Sequence, residues 1–106
     1  MQYITLDTAA EMAATLTDTP KTLQELLPNQ VIPMDIDAVM MQPQGGNMRW
    51  YPANTNPTTS RGFVTYSNNF LEKSGIGDLH QWKFARDGGT NRTVVIAFGK
   101  STPNRS

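Results

Sequence analysis

Residues 34–51 read MDIDAVMMQPQGGNMRWY, and this stretch decides the fold. Met34, Ile36, Ala38 and Met40 alternate with Asp35, Asp37, Val39 and Met41, the period-two pattern of a strand. Pro43-Gln44-Gly45-Gly46-Asn47 collects turn formers. Met48 to Tyr51 is then a second strand, with Met48 and Trp50 on one side and Arg49 and Tyr51 on the other. The same grammar continues downstream. Residues 52–61, PANTNPTTSR, lack any apolar period and form the longest loop. Phe63 to Tyr66 is a strand, Ser67-Asn68-Asn69 a hairpin turn, and Phe70 to Lys73 its return. Ser74 to Asp78 turns again, and His80, Trp82 and Phe84 alternate with Gln81 and Lys83. Asp87-Gly88-Gly89 is a tight turn before Thr93 to Phe98, the most apolar strand. Six strands joined by short turns predict a mainly β domain, an antiparallel sandwich or barrel.

Upstream lie the only helix signals. Thr19-Pro20 places an N-cap residue before a proline at the first helical position, and Thr22 and Glu25 have the spacing of a capping box. Leu23, Leu26 and Leu27 share one helical face and Pro28 ends the run, so a short helix is expected over 20–27. Eight residues do not hold a helix in water, so the leucines must plug into a core. Residues 8–17, TAAEMAATLT, fit either period: Ala9, Met12, Ala13 and Leu16 as a helical stripe, Ala10, Met12, Ala14 and Leu16 as a strand. The β character of the rest favours the extended form. Residues 1–100 are expected to form one domain, with 101–106, STPNRS, a polar tail.

The composition excludes several function classes. Among 106 residues there are 13 Thr and 8 Asn but only 17% charged residues, so polarity comes from hydroxyls and amides. The absence of Cys removes disulfides, thiolate metal sites and Cys nucleophiles, and a single His removes His-rich metal sites. No apolar run approaches the length of a membrane span, and MQYITLD does not read as a signal peptide. Net charge is zero, yet residues 1–48 carry −5 and residues 49–106 carry +5. Either the two halves form oppositely charged surfaces that draw copies together, or they interleave in the fold and cancel.

Few residues invite chemistry. His80 is the one side chain with a near-neutral ordinary pKa, but no nucleophile elbow or orienting carboxylate accompanies it, so a packed or surface histidine is expected. Asp35 and Asp37, with Asp7 and Asp18 elsewhere, form no calcium-loop pattern and read as a solvated face or as partners of cations. Gly45-Gly46 and Gly88-Gly89 precede no helix and are turns rather than phosphate loops. Asn91-Arg92-Thr93 and Asn104-Arg105-Ser106 match a glycosylation pattern without a secretory context. No catalytic residue, metal or cofactor is implied. The richest set is Arg49, Trp50, Tyr51, Arg61 and Tyr66, with Trp82 beside it, because aromatics and arginines together are the residues of protein contacts. Trp50 and Trp82 would equally serve as core. Zero net charge and the lack of a basic run argue against nucleic acid.

The run TPKTLQELLPNQVIPMDIDAVMMQPQGGNMRWYP, then NPTTSRGF, a Trp-Lys-Phe strand and TVVIAFGK, resembles the small β-sandwich virion proteins of tailed bacteriophages, over residues 18–100. The resemblance implies a non-enzymatic head decoration, cement or head–tail accessory protein, present in many copies. It implies other virion proteins as partners, the major capsid protein first, and a place in the particle after assembly in the host cytoplasm. It carries no catalytic residue. The alternative is a carbohydrate- or receptor-binding module of a tail or spike.

Overall fold

The computed structural model describes residues 2–5, 12–52 and 62–103. The chain runs β1 (Gln2–Thr5), β2 (Met12–Leu16), α1 (Leu23–Leu26), β3 (Ala38–Gln44), β4 (Asn47–Tyr51), β5 (Phe63–Thr65), β6 (Leu71–Lys73), a 3₁₀ turn (Leu79–Gln81), β7 (Lys83–Asp87) and β8 (Arg92–Pro103). Two antiparallel sheets result. In the larger, β8 is central: β3 lies along one side of it, β1 and β2 pair successively along the other, and β6 extends β3. The smaller has the order β5-β4-β7. The sheets remain separate, so the expected mainly β sandwich with one short helix is the fold and a closed barrel is not.

The core lies between the sheets. Leu16, Val39, Met41, Leu71, Val94, Ile96 and Phe98 face inward from the large sheet and meet Met48 and Phe84 from the small one. Alternation selects these residues, since side chains two apart along a strand share a face. Leu23, Leu26 and Leu27 close one end of the core, as their single helical face requires.

Helix α1 begins later than Thr19-Pro20 suggests. Thr22 is the N-cap, and the capping box is complete: the Glu25 N–H donates to Thr22 Oγ1 at 3.3 Å and the Thr22 N–H donates to Glu25 Oε1 at 2.9 Å. Lys21 cannot join the helix because its backbone is bridged to Phe84 of β7, with N···O distances of 3.0 and 2.8 Å. Residues 12–16 are extended, as the β context favoured; residues 8–11 lie outside the described residues.

Other boundaries also move. The strand expected from Met34 starts at Ala38, because the chain turns at Met34-Asp35, with the Ile36 N–H donating to Pro33 O at 3.4 Å. The turn at Gly45-Gly46 is tighter than expected, leaving Pro43, Gln44 and Asn47 in strands. His80 and Gln81 belong to the 3₁₀ turn rather than to a strand. β8 continues to Pro103, where it pairs with Gln2, so the chain passes the expected domain edge at residue 100 still in the sheet.

The largest difference concerns residues 66–70. Asn68 turns the chain with φ 67°, but the turn closes no hairpin: β5 pairs with β4 and β6 pairs with β3. It carries the chain from one sheet to the other. The β3–β4 and β7–β8 connections make the same passage at Gly45-Gly46 and at residues 88–91.

Candidate interaction surface

Strand β4 carries three of the five residues singled out in the sequence. Its alternation sends Met48 and Trp50 one way, Arg49 and Tyr51 the other. Trp50 is half-buried in an aromatic stack, with Phe63 at a centroid distance of 4.7 Å and Trp82 at 5.5 Å, the two indoles within 7° of parallel. Lys73 Nζ lies 5.2 Å from the ring centroid of Trp50, within cation–π range. The Trp50 Nε1–H donates to Thr65 Oγ1 at 3.1 Å, and the Trp82 Nε1–H to Asp78 Oδ1 at 3.2 Å. Trp50 is thus committed to contacts within the chain, and Trp82 is core.

Tyr51 is interior, which removes it from the surface set. Gly62, at φ 100°, passes so close to its ring that a Cβ there would overlap Tyr51 Cε1. Burial pushes the phenol pKa above its ordinary value, and Asp87 adds to the rise while Arg49 opposes it. The Arg49 Nη2–H donates to Asp87 Oδ1 at 2.6 Å, a short charge-assisted pair at a half-buried position. A cleft beside this pair is lined by Asp18, Arg49, Tyr51, Arg86, Asp87 and Gly88, where two arginines and two carboxylates balance in charge. Arg61 lies outside the described residues. Of the five, Tyr66 stands in solvent.

The remaining candidates fall apart in space. Asp35 is exposed, and Lys100 donates to its backbone carbonyl at 3.0 Å with Oδ2 at 3.8 Å. Asp35 and Asp37 sit in and after a turn rather than on one strand face. His80 buries Nδ1 without a hydrogen-bond partner among the described residues. Among the described residues no group of three His, Asp or Glu side chains could hold a metal ion, and no helix is long and apolar enough to cross a membrane. The two charge halves meet at two points among the described residues: Lys100 approaches Asp35, and Lys83 stands near enough to Glu25 to help lower its pKa.

Tyr66 belongs to a set of apolar side chains that ordered segments hold in water, of which the sequence reading singled out Tyr66 and missed the other four. Val31, Met34, Phe63, Tyr66 and Phe70 are between 57% and 88% exposed. Their segments are fastened. Gln24 donates from Nε2 to Leu27 O and Gln30 O, and accepts the Ile32 N–H at 3.0 Å, which pins the loop carrying Val31 and Met34. The 66–70 turn is held by three bonds: Asn68 N–H to Pro43 O at 2.8 Å, Gln42 Nε2–H to Asn68 O at 3.0 Å, and Ser67 N–H to Asn47 Oδ1 at 2.9 Å. In the sequence, Tyr66 and Phe70 bracket a polar turn, the signal that could have flagged them.

No family model, curated protein or solved structure matches this chain. Its function therefore has to be argued from the surface itself.

Proposed function

We propose that this chain is a non-catalytic structural protein that acts through protein–protein contacts, as a multi-copy decoration, cement or accessory component of a phage particle. One observation supports the contact role: five large apolar side chains are held out in solvent by segments that hydrogen bonds fasten in place. Single exposed apolar residues are ordinary, but several presented on fastened segments suit binding, since ordering them on association costs little further entropy. The setting, a virion with its major capsid protein as first partner, rests on the sequence resemblance.

The test is mass spectrometry of purified particles of the phage encoding the chain, followed by reconstitution of particles made without it. The expected result is a fixed stoichiometry per shell and saturable re-incorporation. Absence of the chain from purified particles would overturn the virion reading.

A further inference from the structure

Asp87-Gly88 is the one Asp-Gly pair in the sequence. In such a pair the residue after the aspartate has no side chain to shield its nitrogen, which is free to attack the carboxyl group. The Gly88 nitrogen bonds to Asp87 Cγ and one carboxyl oxygen leaves as water, closing a succinimide ring. Water then adds to one of the two ring carbonyls. Cleavage between the nitrogen and Cγ restores aspartate. Cleavage between the nitrogen and the backbone carbonyl carbon gives isoaspartate: the main chain now runs through Cβ and Cγ, one methylene longer, and the former backbone carbonyl is a free carboxylate. The water lost is the water regained, and no other reactant is consumed.

In the fold, Asp87 stands between two guanidinium groups. Arg49 Nη2 donates to its carboxylate Oδ1 at 2.6 Å, and Arg92 Nη1 donates to its backbone carbonyl at 2.8 Å. The two arginines thus hold the two groups whose roles isomerisation exchanges. The negative charge sits beside Arg49 before the reaction and beside Arg92 after it. The cleft lined by Arg49, Tyr51, Arg86, Asp87 and Gly88 gives water access to the same place.

We infer that Asp87-Gly88 is an isomerisation site of this protein, restrained by Arg49 as aspartate and received by Arg92 as isoaspartate. The restraint has two parts. The ion pair is made by the anion, whereas ring closure expels oxygen from the neutral acid, so the Arg49 bond must break first. Asp87 is also the last residue of β7, in register with Asn47, and ring closure requires its Cβ to eclipse the Gly88 nitrogen, a torsion that an extended strand does not have. Gly88 leaves the strand at φ 121°, so opening the end of β7 alone is enough to reach it. The reception follows from the same contacts. The new carboxylate forms at the carbon whose oxygen already accepts from Arg92, which turns a neutral acceptor into a charged and stronger one. The inference is independent of the contact role proposed above.

The experiment ages the purified chain at physiological temperature and pH. Isoaspartate at residue 87 is followed by methyl transfer from S-adenosylmethionine with a protein isoaspartyl methyltransferase, and by loss of cleavage before residue 87 with an Asp-specific endoproteinase. The comparisons are the free peptide of residues 85–90 and whichever of Arg49→Met and Arg49→Gln is folded by circular dichroism. The wild-type chain should convert more slowly than the peptide. The Arg49 variant should convert about tenfold faster than wild type or more, because a hydrogen bond between charged groups no longer has to break. Arg49→Lys, which keeps the cation, should stay close to wild type. The isomerised wild-type chain, separated by ion exchange, should keep its folded near-ultraviolet spectrum. Conversion of the wild type at the peptide rate, or of the folded Arg49 variant at the wild-type rate, would overturn the restraint. No isoaspartate in either chain while the peptide converts would overturn the site itself. An isomerised chain that is unfolded would overturn the part given to Arg92.

Discussion

Replacing Arg92 by Met removes a buried cation from the place where two chain passages between the sheets meet. The guanidinium donates to Asn47 O at 3.1 Å and Asp87 O at 2.8 Å through Nη1, and to Thr90 O through both Nε and Nη2. Asn47 opens β4 just after the β3–β4 turn, Asp87 ends β7 and Thr90 lies in the β7–β8 connection, so one side chain fastens both passages. Hydrogen bonds to a charged donor contribute about 1.5–3 kcal/mol each, and a buried carbonyl left without a donor costs about 1–3 kcal/mol. Three carbonyl acceptors are involved and water can re-enter at the turn edges, so the loss should come to about 3–5 kcal/mol. Against the 5–15 kcal/mol that holds a typical domain together, that is a large share.

Gly46 supplies an internal control. A Cβ at residue 46 would overlap the Arg92 guanidinium, so Gly46→Ala must push the arginine from its carbonyls. The two substitutions therefore attack one set of bonds. In urea unfolding, the double variant should lie within about 1 kcal/mol of the weaker single, far from additive. A loss below about 1 kcal/mol for Arg92→Met, or energies adding to within about 0.5 kcal/mol, would refute the clasp.

Other consequences are simpler to check. Leu23 is fully buried in the core, and Leu23→Ala should cost about 2–5 kcal/mol in the same unfolding assay. Thr22→Ala should cost about 1 kcal/mol by opening the capping box. The Thr22 N–H holds the Glu25 pKa below its ordinary value, with smaller help from the Thr22 hydroxyl, Lys83 and Lys21. The contribution of Glu25 is thus present above its unfolded pKa and lost as pH falls through the lower folded one; Glu25→Gln should flatten that acid limb of a stability–pH profile. Asn68 occupies the left-handed region, so Asn68→Gly should leave the melting temperature nearly unchanged, while Asn68→Val should lower stability by about 1–2 kcal/mol.

The sequence made some of these features visible and concealed others for physical reasons. β4 and the inward side of β8 were readable because Met48 and Trp50, and Val94, Ile96 and Phe98, alternate cleanly against one core. Met34 to Asp37 imitated a strand because Ile36 is buried between two aspartates, a pattern that a turn with one inward residue also produces. Ser67-Asn68-Asn69 announced a turn correctly, but turn chemistry is local while strand pairing is not. Nothing between residues 63 and 73 records that β5 belongs to β4 and β6 to β3. The same limit applied to the surface. Arg49, Trp50 and Tyr51 looked like an exposed set, yet β4 is the central strand of its sheet, flanked by β5 and β7, and Gly62 covers the Tyr51 ring. Tyr66, beyond the end of β5, escaped such cover.

The central claim is that the exposed apolar side chains become buried against protein in the assembled particle. Hydroxyl-radical footprinting of the free chain and of the chain within purified particles tests it at the residues themselves. The account requires strong labelling of Met34, Phe63, Tyr66 and Phe70 in the free chain, with marked protection of Tyr66 and Phe70 in the particle and no change at buried Phe84. Equal labelling of Tyr66 and Phe70 in both states would contradict it.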